Sequence, residues 1–202
     1  MFDKFSVSIS VATILGVLGK LAFMYSNGSL SIVNDKLLST ITTLLLAIYL
    51  IFLRGKMMHD DSFYFIALEN KTRKLKSRIA LLLGYISWLF WAPAVFFLEN
   101  LATVGICMTI SFIFSSAWIE MDFDKKEIIP TVTWLFLNML YIAFFLTMGI
   151  LSLLSKLQPW VAVIISALLL LLLIYDWVES DPIGKKTKLE PNSSLKDKNM
   201  NN

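Results

Sequence analysis

Residues 69–88 read ENKTRKLKSRIALLLGYISW, five positive charges (Lys71, Arg73, Lys74, Lys76 and Arg78) set against an uncharged run that continues to Leu98. A helix rises about 1.5 Å per residue and the hydrocarbon core is about 30 Å thick, so roughly 20 apolar residues cross it. Residues 79–98 are such a run. The basic belt is the flank that holds one of its ends in water.

Five further apolar segments surround this one, at about 5–25, 37–53, 101–119, 131–154 and 160–178. Of the 202 residues, 57% are hydrophobic and 16% charged, against roughly 25% charged in soluble domains. A soluble fold of this size cannot hide so much apolar surface. The expectation is an all-α polytopic transmembrane helical bundle of about six spans, with four to six compatible with the runs. The first segment is diluted by Ser6, Ser8, Ser10, Thr13 and Lys20, and either spans or lies in the interface. It reads as a retained helix, because it carries Lys20 and ends in FMYSNGS rather than in an A-x-A-like cleavage site.

Charge placement orients the bundle. With six spans and an inner N-terminus, the inner segments are 1–4, 54–78, 120–130 and 179–202, and they hold 15 of the 18 Lys and Arg. Only Lys36 and Lys156 fall outside, and Lys20 sits near the outer end of its span, where it can snorkel. By the positive-inside rule both termini are cytoplasmic, in a bacterial inner membrane. Residues 1–178 then form the transmembrane domain, with inner loops 54–78 and 120–130, and residues 179–202 form a polar, disordered tail. Trp118, Trp134, Trp160 and Trp177 fall at span ends, whereas Trp88 and Trp91 are mid-span. Pro93 is expected to bend the third span.

In the fourth span Thr103, Cys107, Ser111 and Ser115 recur at i+4, with Gly105, Thr109 and Ser116 on a second face. Small residues let transmembrane backbones approach, so this helix is expected to be packed on two sides. A polar pore stripe is the functional alternative. Ser8, Ala12 and Gly16 make a similar stripe in the first segment and suggest a homo-oligomer. Asn138 reads as a helix–helix hydrogen bond. Intramembrane charges are expected to be scarce, since Lys20, Glu99 and Asp176 lie near span ends.

One cysteine excludes an internal disulfide, and one histidine, His59, excludes His-pair metal motifs. No Walker loop, GxSxG or carboxylate dyad is present, so no enzyme, cofactor or metal is expected. Residues 54–78 contain an apolar patch, Phe63 to Leu68, that suits either a helix capped at Asp60–Ser62 or a short hairpin. The belt can meet anionic lipid, at about 1 kcal/mol per cation, or an acidic protein. Nucleic-acid binding is not expected, because no aromatic stacking pattern accompanies the charges.

These features point to a non-enzymatic membrane anchor or sensor for a cytosolic partner. The alternatives are an oligomeric ion channel or pore-forming effector, and a small transporter. The span-rich layout, the KTRKLKSR belt and the Lys/Asn-rich tail resemble the small membrane subunits of bacterial anti-phage defence systems such as Kiwa. That resemblance implies a homo-oligomer that binds a cytosolic effector and responds to membrane perturbation during infection.

Overall fold

The structure is a computed structural model that describes residues 2–33, 36–68, 75–122 and 131–180. It comprises α1 (Phe2–Ser26), α2 (Leu37–Leu68), α3 (Leu75–Leu89), α4 (Trp91–Phe96), α5 (Leu101–Asp122), α6 (Thr131–Leu153) and α7 (Pro159–Ser180). Five stretches are long and apolar enough to cross a membrane: Val7–Ser26, Leu37–Met58, Leu101–Trp118, Leu135–Leu153 and Pro159–Val178. The shorter apolar stretch Leu82–Phe96 covers the end of α3 and all of α4. The chain is a multi-pass membrane protein with a helical bundle of five to six spans.

Pro93 accounts for the division between α3 and α4. It has no N–H to offer the carbonyl of Leu89, and its ring crowds that carbonyl. Phe90 answers with a flattened helical turn at φ −75°, ψ −10°. Bonding resumes with a long bond from Ala94 N–H to the Phe90 carbonyl at 3.4 Å, and Phe97 N–H donates to the Pro93 carbonyl at 3.0 Å. The proline expected to bend the third span thus lies three residues after a division of the helix at Phe90.

The helices close into a ring. α1 packs on α2, α2 on α7, α7 on α6, α6 on α5, α5 on α3 and α4, and α4 returns to α1. Aromatic side chains fill the middle. Phe112 of α5 stacks on Tyr141 of α6, with centroids 4.8 Å apart and planes 19° apart. Tyr49 of α2 meets Tyr141 and Phe145 edge-on at 6.0 and 5.5 Å. All four are essentially inaccessible, and such pairs contribute about 0.5–1.5 kcal/mol beyond the area they bury.

α5 is packed on two sides. Against α6 it brings Gly105 so close to Gly149 that a Cβ on Gly105 would lie 2.6 Å from the Gly149 Cα. On the same side Asn138 Nδ2 donates to Ser116 Oγ at 3.1 Å, the interhelical bond expected of that residue. Against α3, Ser87 Oγ donates to the Ser111 carbonyl at 2.9 Å. At the start of α5, Asn100 Oδ1 accepts from the Thr103 N–H at 3.1 Å, the usual device for satisfying a first-turn donor.

α2 differs from the sequence expectation. It does not stop at residue 53 but runs as one helix to Leu68. The stretch assigned to an inner loop is thus helical through its apolar patch, and neither a separately capped helix nor a hairpin forms there. The first charges do not end the helix in water, because Arg54 and Lys56 are buried against neighbouring helices.

Candidate functional site

Leu46, Leu50, Leu53 and Arg54 of α2 share the inward face, at the i+3 and i+4 spacing that aligns side chains on a helix. Apolar packing therefore carries Arg54 into the bundle, where it is 0% exposed. At 1.5 Å per residue, Arg54 lies about 25 Å along α2 from Leu37, and Ser10 about 24 Å along α1 from Ser26. The two residues consequently meet. Arg54 Nε donates to Ser10 Oγ at 2.9 Å, and Nη1 approaches the Met57 sulfur at 3.8 Å.

The guanidinium also explains the two mid-span tryptophans. Its central carbon sits 5.2 Å from the Trp88 ring centroid and 5.7 Å from that of Trp91. Cation–π attraction reaches about 2 kcal/mol when water is excluded. Trp88 at the end of α3 and Trp91 at the start of α4, on either side of Phe90, both reach the Arg54 side chain that Ser10 of α1 also meets.

Two residues further, Lys56 pairs with α7. Its Nζ lies 3.3 Å from Asp176 Oδ1, with side-chain exposures of 6% and 8%. Tyr141 of α6 donates its hydroxyl to Asp176 Oδ2 at 3.1 Å. The Tyr49 hydroxyl is buried and has no hydrogen-bond partner among the described residues. The cluster thus joins α1, α2, α3, α4, α6 and α7 through two cations, one carboxylate, one serine hydroxyl, two indoles and two phenols.

Moving ions from water into such a site costs several kcal/mol each, offset only by good geometry and added hydrogen bonds. Ionisable groups at membrane depth mark ion pathways, relays or sensors often enough to be functional suspects. The arrangement can hold charge inside the bundle and couple six helices to its state. Among the described residues, no group of three or more His, Cys, Asp or Glu is placed to hold a metal ion.

The expected scarcity of intramembrane charge is corrected by these contacts. The sequence reading puts Arg54 and Lys56 in water with the inner loop, whereas the structure buries both within Leu37–Met58; Asp176, near the end of Pro159–Val178 as expected, is buried as well. Their burial rests on long-range contacts that no local charge count contains. The readable signal was the pair of mid-span tryptophans, whose ring faces suit a cation.

Other sequence candidates fall as follows. Lys71, Arg73 and Lys74 lie outside the described residues, as does the tail 181–202. Lys76 and Arg78 are in the first turn of α3. Ser111 and Ser115 are buried, and Thr103 and Cys107 are half-buried on α5. On α1 the buried face is Ser10, Thr13, Val17 and Met24, while Ser8, Ala12 and Gly16 are exposed. Gly16 still comes close to α4, since a Cβ there would lie 3.3 Å from Val95 Cγ1.

No protein-family model, curated protein or solved structure compared with the chain matches it.

Proposed function

We propose that this chain is a non-enzymatic membrane anchor and sensor of a bacterial inner membrane, working for a cytosolic partner. The observation that carries this reading is the continuity of α2. One helix bears Arg54 and Lys56 in the intramembrane cluster and runs on, without interruption, to Leu68. Its length beyond Met58 is about 15 Å at 1.5 Å per residue. A shift or rotation of α2 imposed at the cluster is delivered outside the span as rigid-body motion.

The distribution of chain supports the same reading. At the end of the bundle holding Lys20 and Glu99, the connections are short: residues 27–36, 97–100 and 154–158. The extension of α2 to Leu68 leaves the other end, and in chain order the belt follows it and the tail follows α7. On the positive-inside rule that end is cytoplasmic, and the belt docks an acidic partner or anionic lipid there. The resemblance to defence-system membrane subunits supplies the setting, infection that perturbs the membrane.

The test is purification in gentle detergent from the native host, with mass determination and identification of what co-purifies. It is repeated on a variant with Lys71, Arg73, Lys74, Lys76 and Arg78 changed to Glu, after membrane insertion has been checked. A cytosolic protein should accompany the wild type at fixed stoichiometry and be lost from the variant. Undiminished binding by a correctly inserted variant would sink the docking role. A bare oligomer would favour the channel alternative.

A further inference from the structure

The connection from α1 to α2 turns back on the helices it joins. Gly28 closes α1 in the left-handed conformation, at φ 72°. The N–H groups of Ser29 and Leu30 both return to the Met24 carbonyl, at 2.9 and 3.1 Å, the bonding that reverses a chain at a helix end. The next residue is clamped to α2. Ser31 N–H donates to Thr40 Oγ1 at 3.1 Å, and Thr40 Oγ1 donates to the Ser31 carbonyl at 2.9 Å. Two residues on, the Val33 carbonyl accepts from Lys36 N–H at 2.9 Å.

These bonds set a depth. Thr40 is buried and belongs to the membrane-crossing stretch Leu37–Met58, about 4.5 Å inside its start at 1.5 Å per residue. Ser31 is held beside it, no further out than the first turn of α2. What the clamp presents there is apolar: Ile32 is 83% exposed and Val33 67%. The pair continues a surface that already meets lipid. Phe23 and Tyr25 in the last turn of α1 and Leu38 in the first turn of α2 are exposed within membrane-crossing stretches. Tyr25 and the exposed Lys36 are residue types that settle at headgroup level. Two branched aliphatic side chains at that level leave water by entering the bilayer.

We propose that Ile32 and Val33 form an apolar wedge in the lipid leaflet, at the boundary of headgroups and hydrocarbon, and that the Ser31–Thr40 clamp passes changes in lipid packing there to α2. The partner is the leaflet itself, without headgroup preference, because the tip offers only hydrocarbon. Segments inserted at this depth respond to lipid packing, since their binding scales with the apolar area they bury. The inference rests on the sensor reading above and supplies its input: α2 also carries Arg54 and Lys56 in the cluster and continues to Leu68.

The test uses the full chain in phosphatidylcholine nanodiscs, which leave both faces open to water. A nitrobenzoxadiazole label is placed on Ile32→Cys in a Cys107→Ala background, and on Asn202→Cys as the reference. The ratio of quenching by a lipid with a nitroxide near its glycerol to quenching by aqueous iodide should be at least threefold higher at residue 32. Equal ratios overturn the wedge. So does disulfide cross-linking of two copies through unlabelled Ile32→Cys, which would give the surface to a second copy. Transmission is read from a nitroxide on Met58→Cys in the same background, at the far end of the α2 span. Its spectrum should change when lysophosphatidylcholine alters headgroup packing, and Ile32→Ser with Val33→Ser should at least halve that change. A spectrum that does not respond, or responds equally in the variant, overturns the transmission. Neither measurement involves a cytosolic partner, so the wedge can fail while the docking role stands, and the reverse.

Discussion

Arg54 and Ser10 lie 44 residues apart in sequence, yet the Arg54 Nε–H bonds the Ser10 hydroxyl at 2.9 Å. This contact ties the least-buried span, α1, to the centre of the bundle. It also places a fixed positive charge between two indole rings in a region from which water is excluded.

Arg54→Lys keeps the charge but loses the planar group that stacks on Trp88 and Trp91 while donating sideways to Ser10. Arg and Lys are not equivalent at stacked sites. Loss of about 1–2 kcal/mol is expected, read as a lower midpoint of thermal unfolding in detergent. An unchanged midpoint would mean that the stacking contributes nothing.

The Lys56–Asp176 pair is open to a double-mutant cycle. Removing either partner alone, by Lys56→Met or Asp176→Leu, should cost about 3–5 kcal/mol, because an uncompensated charge is left buried. Making both changes together should restore most of that loss. If the double variant is as unstable as the sum of the singles, the pair is not what holds α2 to α7.

Gly105 and Gly149 predict an asymmetry. A Cβ at Gly105 meets backbone atoms of Gly149 and Phe145 at 2.6 Å, whereas one at Gly149 meets its nearest neighbour at 3.2 Å. Gly105→Ala must separate α5 from α6 and should cost at least the 1–3 kcal/mol typical of overpacking, roughly. Gly149→Ala should cost distinctly less. Equal losses in unfolding midpoint would contradict the helix approach described.

The Glu99 carboxyl lies below its ordinary value of 4.5: partial burial pushes it up, but bonds from Lys20 and from its own backbone, with the nearby ammonium, outweigh that push. A carboxyl lowered on folding adds stability above its unfolded value, lost as pH falls through the folded value. Because the group is half exposed, solvent screening keeps the contribution under about 1 kcal/mol. Wild type should therefore exceed Glu99→Gln slightly in midpoint at pH 7, and the difference should vanish well below pH 4.5. A gap that persists in acid would assign the effect to something other than this ion pair.

Orientation is testable with reporters. A reporter active only in the cytoplasm should work when fused after residue 202 and fail when inserted at Gly28, the turn that ends α1. The opposite pattern would invert the bundle and remove the belt from the cytosol.

Much of the bundle was legible in the chain because run length against bilayer thickness is a strong constraint. The six apolar segments, the bend at Pro93 and the two small faces of α5 all follow from spacing within one helix. Arg54 and Lys56 did not, because a cation that follows an apolar run normally ends it in water. What keeps them buried comes from elsewhere: Ser10 on α1, the indoles on α3 and α4, and Asp176 on α7. Tyr141 finds Asp176 across 35 residues, a separation that no periodicity records.

The buried aromatic cluster of Tyr49, Phe112, Tyr141 and Phe145 sets a concentration law for any current through membranes holding this protein. With those rings filling its axis, a single copy offers ions no central route. Leakage would have to pass between copies, so it should scale with at least the square of surface density, and dilution in excess lipid should silence it faster than it removes protein.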